Sequence, residues 1–323
     1  MRRIVVLPVL AAALLVPSAE GATSLERPVA LVTAETSNEV IAVSLGPHGG
    51  RVLRRVHLPH PQTITATCGA AIAVDPAGTV TLLSPRTLRP LAVFHSFRSP
   101  QIAADVPGEA DLAYVTDSTT GELSVIDLQG RKVIDRVFVG AGAHHLGFSG
   151  DGRRLWLALG ENATTIVRLD VSNPRKPRVV GRLRPAVASH DLAFAPGSRN
   201  VWVTSSSAPV VSVYAAVNGR LLRTIPAGKA PQHLSFDRGR ALISSGYGSS
   251  LESVSLTTHR QLRLVASPYG SFNLATYGDV VVTTSLLTGK VSEFRLGDLH
   301  RIWTTKVAPE ARSIAISACT TRS

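Results

Sequence analysis

Residues 114–159 read YVTDSTTGELSVIDLQGRKVIDRVFVGAGAHHLGFSGDGRRLWLAL, and the order of segments in this stretch decides the fold. It contains four short runs rich in β-branched and apolar residues, namely YVTD, LSVID, KVIDRVFV and HHLGF. Polar turns with Gly, Asp and Ser separate these runs, and this pattern predicts strands joined by tight turns. The stretch therefore indicates a four-stranded antiparallel unit.

The same order of segments recurs along the chain. Equivalents of the first run contain Leu31 (LVTA), Ile72 (IAVD), Tyr114 (YVTD), Leu157 (LALG), Trp202 (WVTS), Leu242 (LISS) and Val281 (VVTT), spaced 39 to 45 residues apart. Each is followed by an equivalent of the second run: VIAVSL, TVTLLS, LSVIDL, TIVRLDV, VVSVYAA, LESVSL and KVSEFRL. Four strands in a period of about 42 residues are typical of a propeller blade. We therefore predict an all-β, seven-bladed β-propeller of four-stranded blades, with the first run outermost and the second innermost.

The last repeat is incomplete. After RSIAISAC the sequence ends at Ser323 without an equivalent of the first run. We expect the segment PVALVTAE, residues 28–35, to supply it, so that the N-terminal strand completes the last blade and closes the ring. Closure removes the exposed edge that an open sheet would carry. One propeller domain over residues 27–319 follows.

The repeat at Tyr114 resembles the YVTN-type repeat of secreted seven-bladed propellers. The matching segments are Tyr114-Val115-Thr116-Asp117, Leu123-Ser124-Val125-Ile126-Asp127, His144-His145-Leu146 and Ser149-Gly150-Asp151-Gly152. The resemblance covers nearly the whole chain after the N-terminal segment, but the third repeat alone matches closely. The family includes enzymes and binding proteins, so the resemblance implies the fold far more than the function.

The N-terminus has the pattern of a secretory signal peptide over residues 1–21. Arg2 and Arg3 are followed by an apolar run from Ile4 to Val16 and by small residues near Gly21. The run is shorter than the roughly 20 residues that a membrane-spanning helix needs. We therefore expect a secreted protein (extracellular, periplasmic or cell-wall associated) with no membrane span after removal of the signal. The alternative is an uncleaved N-terminal anchor.

Two cysteines are too few for a Cys-based zinc site, an iron–sulfur cluster or a disulfide-scaffold fold. Cys68 and Cys319 follow equivalent strands of neighbouring repeats, and an exported protein favours a disulfide between them. The alternative is two buried, unpaired thiols. Phosphate-binding Gly loops, a Gly-x-Ser-x-Gly elbow and a haem-attachment motif are also absent from the sequence.

The formal net charge of +12 is distributed unevenly along each repeat. Basic residues such as Arg131, Lys132, Arg175, Arg238 and Arg240 fall in turns that an alternating topology places on one face, which we name the bottom face. Such a face would suit an anionic polymer, including nucleic acid. The alternative is a solvated face with no partner.

Polar residues occur just before or at the start of the strand equivalent to HHLGF in several repeats. The loops that lead into these strands lie on the face opposite the bottom face, which we name the top face, and converge there. This candidate ligand site contains His144, His145, His190, Asp191, Gln232, His233, Asn273 and Arg312. Imidazoles beside a carboxylate bind a ligand, hold zinc or copper, or supply a general base. A purely structural role for these histidines, as hydrogen-bonding repeat residues, is the alternative.

We therefore predict a monomeric binding or scaffold module that takes a small ligand or a protein at its top face. No cofactor is assigned, and a divalent metal is kept as an alternative. A second prediction is a lactonase- or lyase-like propeller enzyme, with His145, His190 or His233 as the base and Asp191 as its partner. A third is binding to a cell surface or an anionic polymer through the bottom face.

Overall fold

The computed structural model describes residue 25, residues 28–205 and residues 207–318. Within these residues it contains 28 β-strands, which form seven four-stranded antiparallel sheets, and no α-helix. No helix of the described residues is long and apolar enough to cross a membrane. The predicted signal segment, residues 1–21, lies outside the described residues.

Blades 1 to 4 each consist of four strands, named in order from the ring axis outward. Blade 1 contains β28 (Ile314–Ser317), β1 (Val29–Ala34), β2 (Glu39–Ser44) and β3 (Val52–His57). Blade 2 contains β4 (Thr63–Ala66), β5 (Ala71–Asp75), β6 (Thr79–Leu83) and β7 (Pro90–Phe94). Blade 3 contains β8 (Pro100–Val106), β9 (Glu109–Asp117), β10 (Glu122–Asp127) and β11 (Lys132–Phe138). Blade 4 contains β12 (Ala143–Phe148), β13 (Arg154–Leu159), β14 (Ile166–Asp170) and β15 (Arg178–Leu183).

The remaining three blades follow the same order. Blade 5 contains β16 (Leu192–Phe194), β17 (Asn200–Thr204), β18 (Val210–Ala215) and β19 (Leu221–Pro226). Blade 6 contains β20 (Leu234–Asp237), β21 (Arg240–Ser245), β22 (Ser250–Ser255) and β23 (Gln261–Ala266). Blade 7 contains β24 (Ser271–Tyr277), β25 (Val280–Ser285), β26 (Lys290–Arg295) and β27 (Arg301–Lys306). The predicted all-β, seven-bladed propeller of four-stranded blades is confirmed.

The two ends of the propeller domain pair with each other. In blade 1, Leu31 of β1 lies opposite Ala315 of β28, and Val32 lies opposite Ile314. The predicted closure through the N-terminal strand is therefore confirmed. The closing blade draws three strands from the N-terminal side and one from the C-terminal side, where three C-terminal strands and one N-terminal strand were expected.

The predicted radial order within each blade is wrong. The runs assigned as outermost, such as YVTD, form the second strand from the axis, and those assigned as innermost form the third. The innermost strands β28, β4, β8, β12, β16, β20 and β24 contact one another around the axis. Six of the seven outer strands contain Arg or Lys among their apolar residues, as in VLRRVH of β3, because one long edge of each outer strand faces water. Each strand lies two positions away from its predicted place in the blade. Neighbouring strands are antiparallel, so a shift of two positions keeps the direction of the strand, and each loop still lies on the predicted face.

The core lies between neighbouring blades. Trp156 of blade 4 is 1% exposed and packs against Phe194 and Tyr214 of blade 5. Gly147 of β12 lets the next blade approach closely, because a Cβ there would lie 2.7 Å from the backbone oxygen of Leu192. Leu146 and Phe148, on either side of Gly147 in β12, pack instead into the cluster between blades 3 and 4.

Cys68 lies between β4 and β5 and is disulfide-bonded. Cys319, its predicted partner, lies outside the described residues. The pairing of Cys68 with Cys319 therefore stays a prediction.

Glu252 of β22 is a carboxyl group in the core, with 2% of its surface exposed. Burial raises its pKa above the ordinary value, and a hydrogen bond from the Gly228 amide opposes this only in part. A carboxyl whose pKa is higher in the folded than in the unfolded state binds its proton more tightly when folded. Its contribution to stability is therefore present at low pH and is lost as the pH rises through the raised pKa.

We expect Glu252→Gln to stabilise the protein at pH 8, because it removes a buried charge, and to have a smaller effect at pH 4. The measurement is the melting temperature of both proteins between these pH values. Glu109→Gln is the control, since Glu109 is exposed. A gain for Glu252→Gln that does not depend on pH would contradict this explanation.

Candidate functional site

The innermost strands bring equivalent residues of successive blades to the ring axis. Each of these strands begins at the top face, so residues just before or at its start surround the same opening. His145 lies in β12, His190 precedes β16, and His233 precedes β20. Blades 4, 5 and 6 therefore present one histidine each to the axis.

All eight residues predicted as a ligand site line one cavity on the top face, which we name the funnel. Its volume is about 350 Å³. The residues are His144, His145, His190, Asp191, Gln232, His233, Asn273 and Arg312. Seven short strands converging on one axis are the reason that residues far apart in sequence meet at this cavity.

Three imidazole rings form a nearly equilateral triangle in the funnel. The ring centroids of His145 and His190 are 4.8 Å apart, and that of His233 lies 5.1 Å from each of them. One ring nitrogen from each histidine lies within 4.8 Å of the other two. We name these three residues the histidine trio.

Each ring of the histidine trio has a separate partner at its Nδ1 atom. His190 Nδ1 donates to the backbone oxygen of Glu161 at 3.0 Å. His233 Nδ1 lies 3.3 Å from Asp191 Oδ2, and His145 Nδ1 lies 2.8 Å from His144 Nδ1. These contacts orient the rings and leave Nε2 of His190 and His233 as candidate ligand atoms, while His145 also has a hydrogen bond with the His190 backbone.

Asp191 is held in place by the backbone of two blades. Its Oδ1 accepts a hydrogen bond from the Leu192 amide at 2.8 Å, and its Oδ2 accepts one from the Leu234 amide at 3.2 Å. With these amides holding the carboxylate, Asp191 Oδ2 is positioned to orient the His233 ring.

Burial sets the charge state of the histidines. Desolvation lowers the pKa of His144 to about 4, although the nearby Glu161 carboxylate opposes the shift. It lowers the pKa of His145 well below the ordinary value, and neighbouring imidazoles add to the effect. The pKa of His190 is lowered for the same main reason. At neutral pH these three rings are therefore uncharged, which is the form of imidazole that binds metals.

Arg312 and Asn273 occupy another part of the funnel. Arg312 Nη1 donates to Glu35 Oε2 at 2.8 Å, so this cation already has a carboxylate partner. Asn273 Nδ2 donates to the backbone oxygen of Arg312 at 2.9 Å. In contrast, Gln232 is 6% exposed and its Oε1 has no hydrogen-bond partner in the described part of the chain.

Sequence reasoning missed several residues that line the funnel. Among them are Gln62, Ile64, Ile102, Glu161, Tyr247 and Leu286. The sequence pattern could have identified Gln62 as a residue of the funnel. The dipeptide Pro-Gln occurs just before or at the start of three innermost strands, at residues 61–62, 100–101 and 231–232. Tyr247 lies between two glycines in a turn, and nothing in its local pattern distinguishes it from an ordinary turn residue.

The basic residues of the bottom face lie at the opposite ends of the strands, and several of them have partners. Arg238 pairs with Asp279, and Arg295 pairs with Asp298 at 3.0 Å. Arg240 donates to the Gly297 backbone oxygen at 2.5 Å. The two ion pairs reduce the positive charge that the bottom face offers to a polymer.

No protein-family model matches the chain, and no curated protein matches it. Its structure is similar to that of a protein of unknown function from Desulfotomaculum acetoxidans DSM 771. That likeness has a TM-score of 0.77 at 11% identity and covers 90% of this chain and 99% of the other. It is also similar to the dihydro-heme d1 dehydrogenase NirN in complex with DHE, with a TM-score of 0.65 at 15% identity, covering 91% of this chain and 67% of the other. At these identities the likeness establishes the β-propeller fold alone, and the resemblance to the YVTN-type family stays a prediction.

Proposed function

We propose that this propeller is an exported binding module whose funnel holds one divalent transition-metal ion through His145, His190 and His233. The observation that carries the proposal is the convergence of the histidine trio, with each Nδ1 engaged elsewhere. Histidines that ligate metals commonly use their second nitrogen to contact a carboxylate or a backbone carbonyl. His233 and His190 follow this pattern.

The contacts of His145 fit the same arrangement. If its Nδ1–H donates to His144 Nδ1, then His144 carries its proton on Nε2, which lies 3.8 Å from Glu161 Oε1. This relay leaves the Nε2 lone pair of His145 for the metal. Glu161 would thus support two rings, His190 through its backbone oxygen and His144 through its carboxylate.

The trio needs only a small adjustment to bind a metal. Zinc–nitrogen bonds of about 2.0–2.1 Å in a tetrahedral site place the ligand nitrogens roughly 3.3 Å apart. The observed limit of 4.8 Å requires the rings to approach one another by about 1–1.5 Å, a distance that small side-chain rotations cover. His190 and His233 are less buried than His145, so we expect the approach to come mainly from their rings.

The donor set defines the class of metal. Imidazole suits zinc, copper and nickel, whereas magnesium and calcium prefer oxygen ligands. The contact between Asp191 Oδ2 and His233 Nδ1 is compatible with metal binding and also with the alternative lactonase- or lyase-like enzyme, in which a histidine is the base and Asp191 is its partner.

The test is isothermal titration of the EDTA-treated protein with Zn²⁺, Ni²⁺ and Mg²⁺. We expect one Zn²⁺ site per chain and no Mg²⁺ binding. His145→Ala or His233→Ala should lower the Zn²⁺ affinity by more than about 100-fold, since loss of an outer partner alone costs roughly 10–100-fold.

The matched controls are His95→Ala and His300→Ala, because both residues are exposed. These variants should bind Zn²⁺ as the unaltered protein does. Equal Zn²⁺ affinity in a variant that lacks all three trio histidines and retains its β-sheet circular dichroism would overturn the proposal.

A further inference from the structure

The funnel has two chemically different sides. The histidine trio comes from blades 4, 5 and 6, whereas Tyr247, Phe272 and Leu286 contribute apolar surface on the side of blades 6 and 7. A ligand that bound only through polar groups would leave this apolar side in contact with water. The arrangement therefore favours a ligand with one polar end and an apolar body.

An aromatic pair lies at the edge of the funnel. Tyr247 and Phe272 both line the cavity, and their rings meet edge to face with centroids 4.9 Å apart. Aromatic residues make up only 5% of this chain. Tyr247 is nevertheless 53% exposed, so its ring lies outside the core. The pair depends on Gly246, because a Cβ at that position would overlap the Phe272 ring.

The metal proposed above determines the polar end of the ligand. Three protein ligands on a tetrahedral metal leave a fourth position open to solvent or to a ligand. A divalent ion bound by neutral imidazoles keeps its full positive charge, so an anionic oxygen is the preferred fourth ligand. Arg312 is already paired with Glu35, which leaves the metal as the main positive charge facing the funnel.

The size of the funnel also limits the ligand. The funnel volume of about 350 Å³ is at the small end of ligand pockets and suits a single ring.

We propose that the funnel binds a small aromatic acid, which coordinates the metal through its anionic oxygen and packs its ring against Tyr247 and Phe272. This inference rests on the proposed metal site and adds the chemical class of the ligand. The aromatic pair supplies the preference for a ring, and the metal supplies the preference for the acid group.

The experiment uses two probes with the same metal-binding group, benzohydroxamate and acetohydroxamate, which differ in the ring. Each is titrated into the protein loaded with Co²⁺, whose visible absorption reports on the coordination sphere, and into the Zn²⁺-loaded protein by calorimetry. We expect both probes to change the Co²⁺ spectrum and benzohydroxamate to bind at least about 10-fold more tightly. Tyr247→Ala should abolish most of this difference, and Tyr247→Phe should retain it.

Tyr269→Ala is the matched control, because Tyr269 is 51% exposed and is not among the residues that line the funnel. This variant should keep the full preference for benzohydroxamate. If Co²⁺ and Zn²⁺ bind but the two probes have equal affinity, the proposed ligand class is wrong and the metal site stands. If neither metal binds, the proposed function itself is wrong.

Discussion

Truncation of the chain after Ala311 is expected to abolish folding. This change removes β28, which pairs with β1 at four positions and forms the innermost strand of blade 1. It also removes Ser313, whose amide donates to Thr33 Oγ1 and whose Oγ accepts from the Ile64 amide of blade 2. The loss exposes apolar surface on β1 and on both neighbouring blades, and a folded protein is typically only about 5–15 kcal/mol more stable than its unfolded state.

The measurement is the soluble yield of the truncated protein, followed by size-exclusion chromatography and circular dichroism. Truncation after Ala318 is the matched control, since it keeps β28 and removes only residues 319–323. The control should remain folded, with a lower melting temperature if the predicted Cys68–Cys319 disulfide exists. A soluble, cooperatively unfolding protein that ends at Ala311 would show that ring closure is not required.

Gly147→Val is expected to destabilise the protein and to weaken the proposed metal site at the same time. A Cβ at residue 147 would lie 2.7 Å from the Leu192 backbone oxygen, so blades 4 and 5 must separate to admit it. Overpacking of this kind costs typically about 1–3 kcal/mol. His145 and His190 lie two residues before this contact on the same two chain segments, so the separation should also disturb the histidine trio.

Chemical denaturation and Zn²⁺ titration of the same variant measure the two effects. Gly297→Val is the control, because Gly297 lies in a turn and a Cβ there would meet no atom within 4 Å. It should change neither quantity by a measurable amount. A Gly147→Val protein with the stability of the control would mean that the two blades are not closely packed at this point.

The sequence was sufficient for the repeat and its boundaries. Each predicted equivalent of YVTD lies in the second strand of a blade, and each equivalent of LSVID lies in the third, extending beyond the strand by at most one residue at either end. These two strands are buried on both faces, so their continuous apolar runs are the strongest pattern in the chain. The pairing of residues 28–35 with the C-terminal strand could be predicted because an open blade would expose an unpaired edge.

The radial order could not be read from the same pattern. Both middle strands are apolar, so their hydrophobicity does not distinguish an inner from an outer position. The useful signal was in the weaker runs, such as QLRLVA of β23, where exposed apolar residues alternate with a basic one at the outer edge. The short innermost strands, such as LAF of β16, contain too few residues to show a pattern.

The sequence by itself determined which polar residues lie at the same level of the top face, because a repeated order of strands places equivalent positions at equivalent points of each blade. Only the tertiary structure decided that three of the histidines meet within 4.8 Å, that Glu161 and Asp191 hold their rings, and that Tyr247 and Phe272 form the edge of the same cavity. The physical reason is that these contacts join different blades. Their distances depend on how closely seven sheets pack around an axis, and small residues such as Gly147 set that packing through atoms far away in sequence.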